Sequence, residues 1–210
     1  MGKIYLIRHG QTDSNSNRQF QGRIDNPLNA KGVAQAEALA RYMRNVPLDA
    51  IYCSSMLRAR MTAAPLAMDH NLPYRPLELL QEVSFGAWEG MAYDEINRRW
   101  PEEMTLFLTR PGDWIPPEGE SFAEVQKRCH AAFKQIFAEQ GHDKSIAIIS
   151  HGGIIRAQLC ALLDMPLNSF WKLAVHNVGI SVVEDWDGNF VVESVNVRNF
   201  TDGATFRLRS

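Results

Sequence analysis

The sequence lacks the material for a disulfide framework. Its 210 residues include three cysteines, Cys53, Cys129 and Cys160, an odd count without close metal-type spacing. That excludes a cystine-stapled scaffold and points to a reducing compartment. No apolar run reaches the roughly 18–20 residues that a membrane helix needs, and no leader-like apolar region follows Met1. An excess of one charge is missing too. Lys and Arg number 22 and Asp and Glu 24, a formal −2, so neither nucleic acid nor an anionic membrane is an expected partner. Internal repeats and low-complexity tracts are absent. These absences leave a cytoplasmic protein of one domain, residues 1–210, with 45% apolar residues to fill a core.

What is present starts with two histidines. Lys3-Ile4-Tyr5-Leu6-Ile7 runs into Arg8-His9-Gly10, and Ser145-Ile146-Ala147-Ile148-Ile149 runs into Ser150-His151-Gly152-Gly153. Both apolar runs read as buried strands, and both end on a histidine before glycine. Side chains at the carboxyl ends of neighbouring strands in an open α/β sheet converge on one crevice. Two imidazoles and an arginine there suit phosphate chemistry.

Between these strands the chain alternates. Gln11 to Pro27 is polar and long for a plain loop, which often marks function. Asn29 offers a cap for a helix whose apolar positions are Val33, Ala36, Ala40 and Met43. Ala50–Cys53 reads as a strand, Ser54-Ser55 as a helix start, Met56–Met68 as the helix and Pro73–Leu77 as extended. This β-α-β-α-β order predicts a three-layer α/β/α sandwich around a mostly parallel sheet. Residues 81–119, with Trp88, Trp100 and Trp114 and a helical patch near Tyr93–Trp100, break the rhythm. They read as an insertion capping one sheet edge, its tryptophans either lining a pocket or forming a small core. Ser121-Phe-Ala-Glu124 is a capping box, and Phe122, Val125, Cys129, Phe133 and Ile136 share a face of the helix it starts. A helix from about Gly152 follows the second histidine strand. Ile180–Trp186 and Phe190–Val197 form a hairpin through Asp187-Gly188, and Arg198–Ser210 is a polar tail.

Four elements carry chemistry. A neutral imidazole at His9 is a good nucleophile near pH 7 and can take a phosphoryl group, splitting transfer into two steps. Arg8 adjoins it as a cation. Arg58 falls in the first turn of a helix that starts where a strand ends, within reach of an anion at the sheet edge. His151 with Gly152-Gly153 places an imidazole beside helix-terminal amides, suited to stabilising transferring charge. Ester cleavage also needs an acid for the leaving oxygen. Glu82 and Glu89 flank Phe85 and Trp88, which can shield a carboxyl group, and spacing does not choose between them. Taken singly, each residue has a structural reading as a strand-end or solvated side chain.

Together the motifs resemble the histidine phosphatase superfamily, which includes the cofactor-dependent phosphoglycerate mutases. The matching pieces are Leu6-Ile7-Arg8-His9-Gly10-Gln11-Thr12, the run Ser54–Ala63, Glu82 through Gly90, and Ser150-His151-Gly152-Gly153, in family order along the chain. The resemblance implies His9 as phospho-acceptor and Arg8, Arg58 and His151 as the phosphate pocket. It implies Glu82 as proton donor, Asn15, Gln21 and Gly22 as pocket lining, and Gly152 as a backbone donor. It implies no metal and no cofactor, a small phosphorylated molecule as substrate, and a homodimer through an edge strand. His70, His130 and His142 read as surface or turn residues, whereas His176, before Asn177, is expected nearer the pocket.

The same pocket serves a phosphatase, which passes the phosphoryl group to water, and a mutase, which passes it to another hydroxyl. Family mutases carry a longer insertion with adjacent arginines. Here the insertion is short, and its one such pair, Arg98-Arg99, lies close to Glu82 in sequence. Phe85–Gly90, Pro117–Ser121 and the modest length resemble the phosphatase branch, so a phosphatase of small phosphomonoesters is expected. A phosphoglycerate mutase is the alternative, and a non-catalytic regulator on the same fold the more distant one. Substrate identity is left open.

Overall fold

The structure, a computed structural model, describes residues 1–202. Its order is β1 (Gly2–Arg8), α1 (Asp13–Ser16), α2 (Ala30–Met43), β2 (Ala50–Ser54), α3 (Leu57–His70), β3 (Tyr74–Leu77), α4 (Tyr93–Arg99), α5 (Pro101–Thr109), α6 (Phe122–Gln140), β4 (Ser145–Ser150), α7 (Gly152–Leu162), β5 (Ile180–Trp186) and β6 (Asn189–Val197). The six strands make one sheet in the order β3-β2-β4-β1-β5-β6. The first four are parallel, and β5 runs antiparallel to β1 and to β6. Its mixed architecture is the α/β sandwich expected from the element order.

Both faces of the central strands are covered, which is why they read as unbroken apolar runs. Ile4, Leu6, Ile146 and Ile148 point into a core shared with α6 and α7. Their alternates Tyr5, Ile7, Ala147 and Ile149 point into a second core with α2 and α3. Local signals set the element ends. Asn29 accepts from the Gly32 amide at 2.9 Å, and Ser121 and Glu124 form a reciprocal capping box. Asp187 and Gly188 both take positive φ, 55° and 89°, as a two-residue hairpin turn requires.

Several local expectations change or are decided. Ser54 and Ser55 do not cap α3; Met56 is its N-cap, without a side-chain bond. Val33 is exposed, and Leu39 takes the buried place on α2. The insertion holds a second helix, α5, opened by Pro101 at its first position. Trp88 and Trp114 are fully buried, with ring centroids 4.9 Å apart, in the core shared with α6 and α7. Phe200, in the expected polar tail, is buried against Tyr42 at 4.5 Å; the tail beyond 202 lies outside the described residues. Among the described residues no helix is long and apolar enough to cross a membrane.

Candidate active site

The β1–β4 ladder pairs Arg8 with Ser150, and the His9 amide continues it by donating to the Ser150 carbonyl at 2.9 Å. His9 and His151 therefore leave the sheet side by side, with ring centroids 5.1 Å apart. A cavity of about 600 Å³ opens over this edge. Arg8, His9, Asn15, Gln21, Gly22, Arg58, Glu82 and Gly152 all line it. His151 does not; it is fully buried behind the cavity wall.

Hydrogen bonds fix the state of each imidazole. His9 Nδ1 lies 2.6 Å from the Gly10 carbonyl, which can only accept, so Nδ1 carries the proton and Nε2 keeps a bare lone pair. Asn177 Nδ2 donates to the His9 carbonyl at 2.9 Å and holds the backbone. Burial, then the cations of Arg58 and Arg8, push the His9 pKa well below the usual 6.5. At His151, Nδ1 accepts from Arg58 Nε at 3.2 Å, so Nε2 bears the proton and donates to Ser54 Oγ at 2.8 Å. Burial and then Arg58 hold His151 well below 6.5 as well. Both rings are therefore neutral near pH 7, and His151 stands as a neutral, hydrogen-bonding ring with both nitrogens engaged.

This has a consequence for acid stability. The unfolded chain binds protons at both histidines below about pH 6.5, whereas the folded state resists them. Stability from these groups is present above 6.5 and is lost as pH falls from 6.5 toward the depressed folded values. The melting temperature should drop between pH 6.5 and about 5, and replacing both histidines by asparagine should flatten that drop. An equally steep drop in the double variant would assign it to other groups.

Arg58 is 0% exposed despite lying in the first turn of α3. Its Nη1 donates to the Ile24 carbonyl and its Nη2 to the Gly22 carbonyl, each at 2.8 Å. With Nε on His151, two of its five N–H groups have no partner among the described residues and can meet a ligand. Arg8 donates Nη1 to the Val175 carbonyl at 2.8 Å, while its buried Nε has no partner among the described residues. An orphaned buried donor is costly and marks where an acceptor belongs. Asn15 Oδ1 accepts from the Thr12 amide and from Asn177 Nδ2, which leaves its own amide donors unassigned.

Glu82 is held against the start of α7. The Gly153 amide donates to its two oxygens at 3.1 and 3.3 Å, and the Val83 amide donates to Oε1 at 3.0 Å. Arg128, from α6, and Arg23 both donate to the Glu82 carbonyl. Glu89, the other candidate, lies outside the cavity lining and instead accepts from the amides of Arg23 and Phe85. A Cβ on Gly153 would stand 2.5 Å from Glu82 Oε1 and 2.5 Å from Val83 Cγ2. Gly153→Ala should therefore move the carboxyl group by about an ångström and lower kcat by roughly 10²-fold. A crystal structure would show the displaced side chain, and unchanged kcat would refute its importance.

Several cavity residues escaped the sequence reading. Arg156 donates Nε to the Leu173 carbonyl at 2.8 Å and packs its guanidinium over Phe170 and Trp171, 5.6 and 5.2 Å from their centroids. Burial and neighbouring Arg8 lower its pKa to about 10. Phe20, Phe107 and Trp171 form an apolar wall, while Trp88, Trp100 and Trp114 do not line the cavity. His176 is exposed and bonds Asn196, so its neighbour Asn177 turns inward in its place. Arg98 and Arg99 are exposed, Arg99 pairing with Glu95 at 2.6 Å. The cavity thus sets Arg8, Arg58 and Arg156 against the single half-buried carboxylate of Glu82, with Arg18 and Asp94 exposed at its mouth. That is a site for an anion.

Comparison with known proteins finds relatives over nearly the whole chain. A family model described as histidine phosphatase superfamily (branch 1) matches residues 4–198. The chain is 29% identical over 197 residues to phosphoserine phosphatase 1 of Hydrogenobacter thermophilus, covering 94% of this chain and 93% of that one. It is 28% identical to the adenosylcobalamin/alpha-ribazole phosphatase of Salmonella typhimurium, covering 93% and 96%. Among solved structures, YhfR of Bacillus stearothermophilus superposes with a TM-score of 0.89 at 32% identity, covering 95% of this chain and 100% of that one.

Proposed function

We propose that this chain, which belongs to the histidine phosphatase superfamily, hydrolyses small phosphomonoesters through a phosphohistidine on His9. The observation that carries the reading is the bare Nε2 of a neutral His9 in one cavity with the unpartnered Nε of Arg8. A nucleophile with its lone pair free and a donor lacking an acceptor are what an incoming phosphoryl group completes.

In the first step His9 Nε2 attacks phosphorus in line. The P–Nε2 bond forms as the bond to the leaving oxygen breaks, and Glu82 passes a proton to that oxygen. In the second step Glu82 takes a proton from water, which attacks phosphorus and frees Nε2. Arg8 and the two free N–H groups of Arg58 neutralise the phosphoryl oxygens, with Asn15, Gln21 and the Gly152 amide as further donors. Gly22 contributes by holding Arg58 through its carbonyl. His151 orients Arg58 by accepting from its Nε. Positioning and electrostatic stabilisation supply most of the acceleration in phosphoryl transfer.

The reading extends to the whole protein. It is a single domain over 1–210 whose insertion, about 81–119, caps the site; it needs no metal because arginines supply the positive charge. It works in the cytoplasm on a soluble metabolite, without nucleic acid or membrane, and pairs as a homodimer. The test is phosphate release across a metabolite panel with and without EDTA. Release should change by less than about twofold on chelation, and 3-phosphoglycerate should yield inorganic phosphate. Conversion to 2-phosphoglycerate without phosphate release would establish the mutase.

A further inference from the structure

A second cavity, of about 690 Å³, lies at the opposite edge of the sheet between α6, α7 and the β5–β6 turn. None of its lining residues enters the chemistry above. Its walls are aromatic: Phe133 and Phe137 come from α6 and Phe190 from β6, with Phe137 and Phe190 stacked 5.5 Å apart. His142 extends the stack, 4.7 Å from Phe137 and tilted by only 20°. Its Nδ1 is 2.7 Å from the buried carboxylate of Asp185, which also accepts from the Gly188 amide and so fixes this wall.

Two further features give the cavity polarity. Gln158 lines it, is 5% exposed, and has a buried Oε1 with no hydrogen-bond partner among the described residues. A buried amide oxygen in that state calls for a donor. At the rim stand His130 and Lys134, both exposed on α6, and Lys134 makes no ion pair among the described residues. No Asp or Glu lines the cavity.

We propose that this cavity is a second binding site, for a planar aromatic carrying a hydrogen-bond donor at one end and an anionic group at the other. The ring stacks among Phe133, Phe137 and Phe190, the donor meets Gln158 Oε1, and the anion meets Lys134 and His130. Aromatic faces, one acceptor and local positive charge each select one part of such a molecule.

The probe is indole-3-acetate, titrated into the isotope-labelled full chain by NMR, with inorganic phosphate saturating the first cavity. Saturable shifts should map to the amides of Leu162, Gly188 and Asn189. Naphthalene-1-acetate, which lacks the N–H, should bind at least about fivefold more weakly, and cationic tryptamine should give no saturable shift. Lys134→Glu, at an exposed position, should weaken indole-3-acetate by about tenfold while leaving phosphate release unchanged. Gln158→Leu should abolish the preference for indole over naphthalene. Absence of saturable shifts at these amides, shifts confined to the first cavity, or tryptamine binding as well as indole-3-acetate would each overturn the proposal.

Discussion

His9→Ala should reduce turnover by at least about 10⁴-fold, because it removes the group placed, among the described residues, to form the covalent intermediate. Wild type briefly mixed with a labelled ester and quenched in base should retain phosphate in an acid-labile bond, and the variant should retain none. A second measurement separates loss of the nucleophile from loss of the pocket. His9 is held neutral by burial and by the two arginines, so its removal takes no positive charge from the site. Inorganic phosphate should therefore still bind, with a Kd within about tenfold of wild type. Turnover retained by the variant would end the phosphohistidine mechanism. Loss of phosphate binding along with turnover would show instead that His9 builds the pocket.

The parts of this site that were legible in the sequence are those fixed by local chemistry. Two buried strands ending in His-Gly told where His9 and His151 leave the sheet, since strand direction and pleat follow from a few residues. Asn29, the Ser121–Glu124 box and Asp187-Gly188 set their own element ends through bonds or backbone conformations spanning three residues at most. What stayed hidden depends on partners far along the chain. Glu82 meets the Gly153 amide across 71 positions, and His151 meets Ser54 across 97. No periodicity reports such a bond, so the sequence offers Ser54 as a helix start and His151 as pocket lining, and neither partner is visible in it. His176 and Asn177 differ by one position in a turn, and which of them faces inward is decided by Asn15 and the His9 carbonyl. Arg156 is not legible because an arginine inside a helix usually signals solvent, and the Leu173 carbonyl together with the rings of Phe170 and Trp171 holds it at the cavity. The choice between Glu82 and Glu89 rests in the sequence on family resemblance, and the long-range part of the supporting geometry, the Gly153 amide, lies in α7.

Arg58 offers the second large effect, because one side chain serves both structure and chemistry. Arg58→Ala should lower kcat/KM by about 10²–10³-fold, the scale for removing a donor that faces developing charge. It should also destabilise the fold by roughly 1–3 kcal/mol, since the buried Gly22 carbonyl loses its donor. Arg58→Lys keeps the charge, yet a single ammonium cannot span the Gly22 and Ile24 carbonyls and His151 Nδ1 together. It should recover stability better than activity. Without the guanidinium, His151 loses both the donor on Nδ1 and one of the charges that depress its pKa. The imidazole should then titrate at higher pH, and the fall in melting temperature below pH 6.5 should become shallower, because the folded state can now share the unfolded chain's protons. Guanidinium ion at sub-denaturing concentration should restore part of the Arg58→Ala activity and none of the Arg58→Lys activity, whose side chain still fills the space. If lysine restored full activity, charge alone would suffice and the three-way fork would be dispensable. If neither activity nor His151 titration changed in Arg58→Ala, Arg58 would be a packing residue and the phosphate site would rest on Arg8 and Arg156.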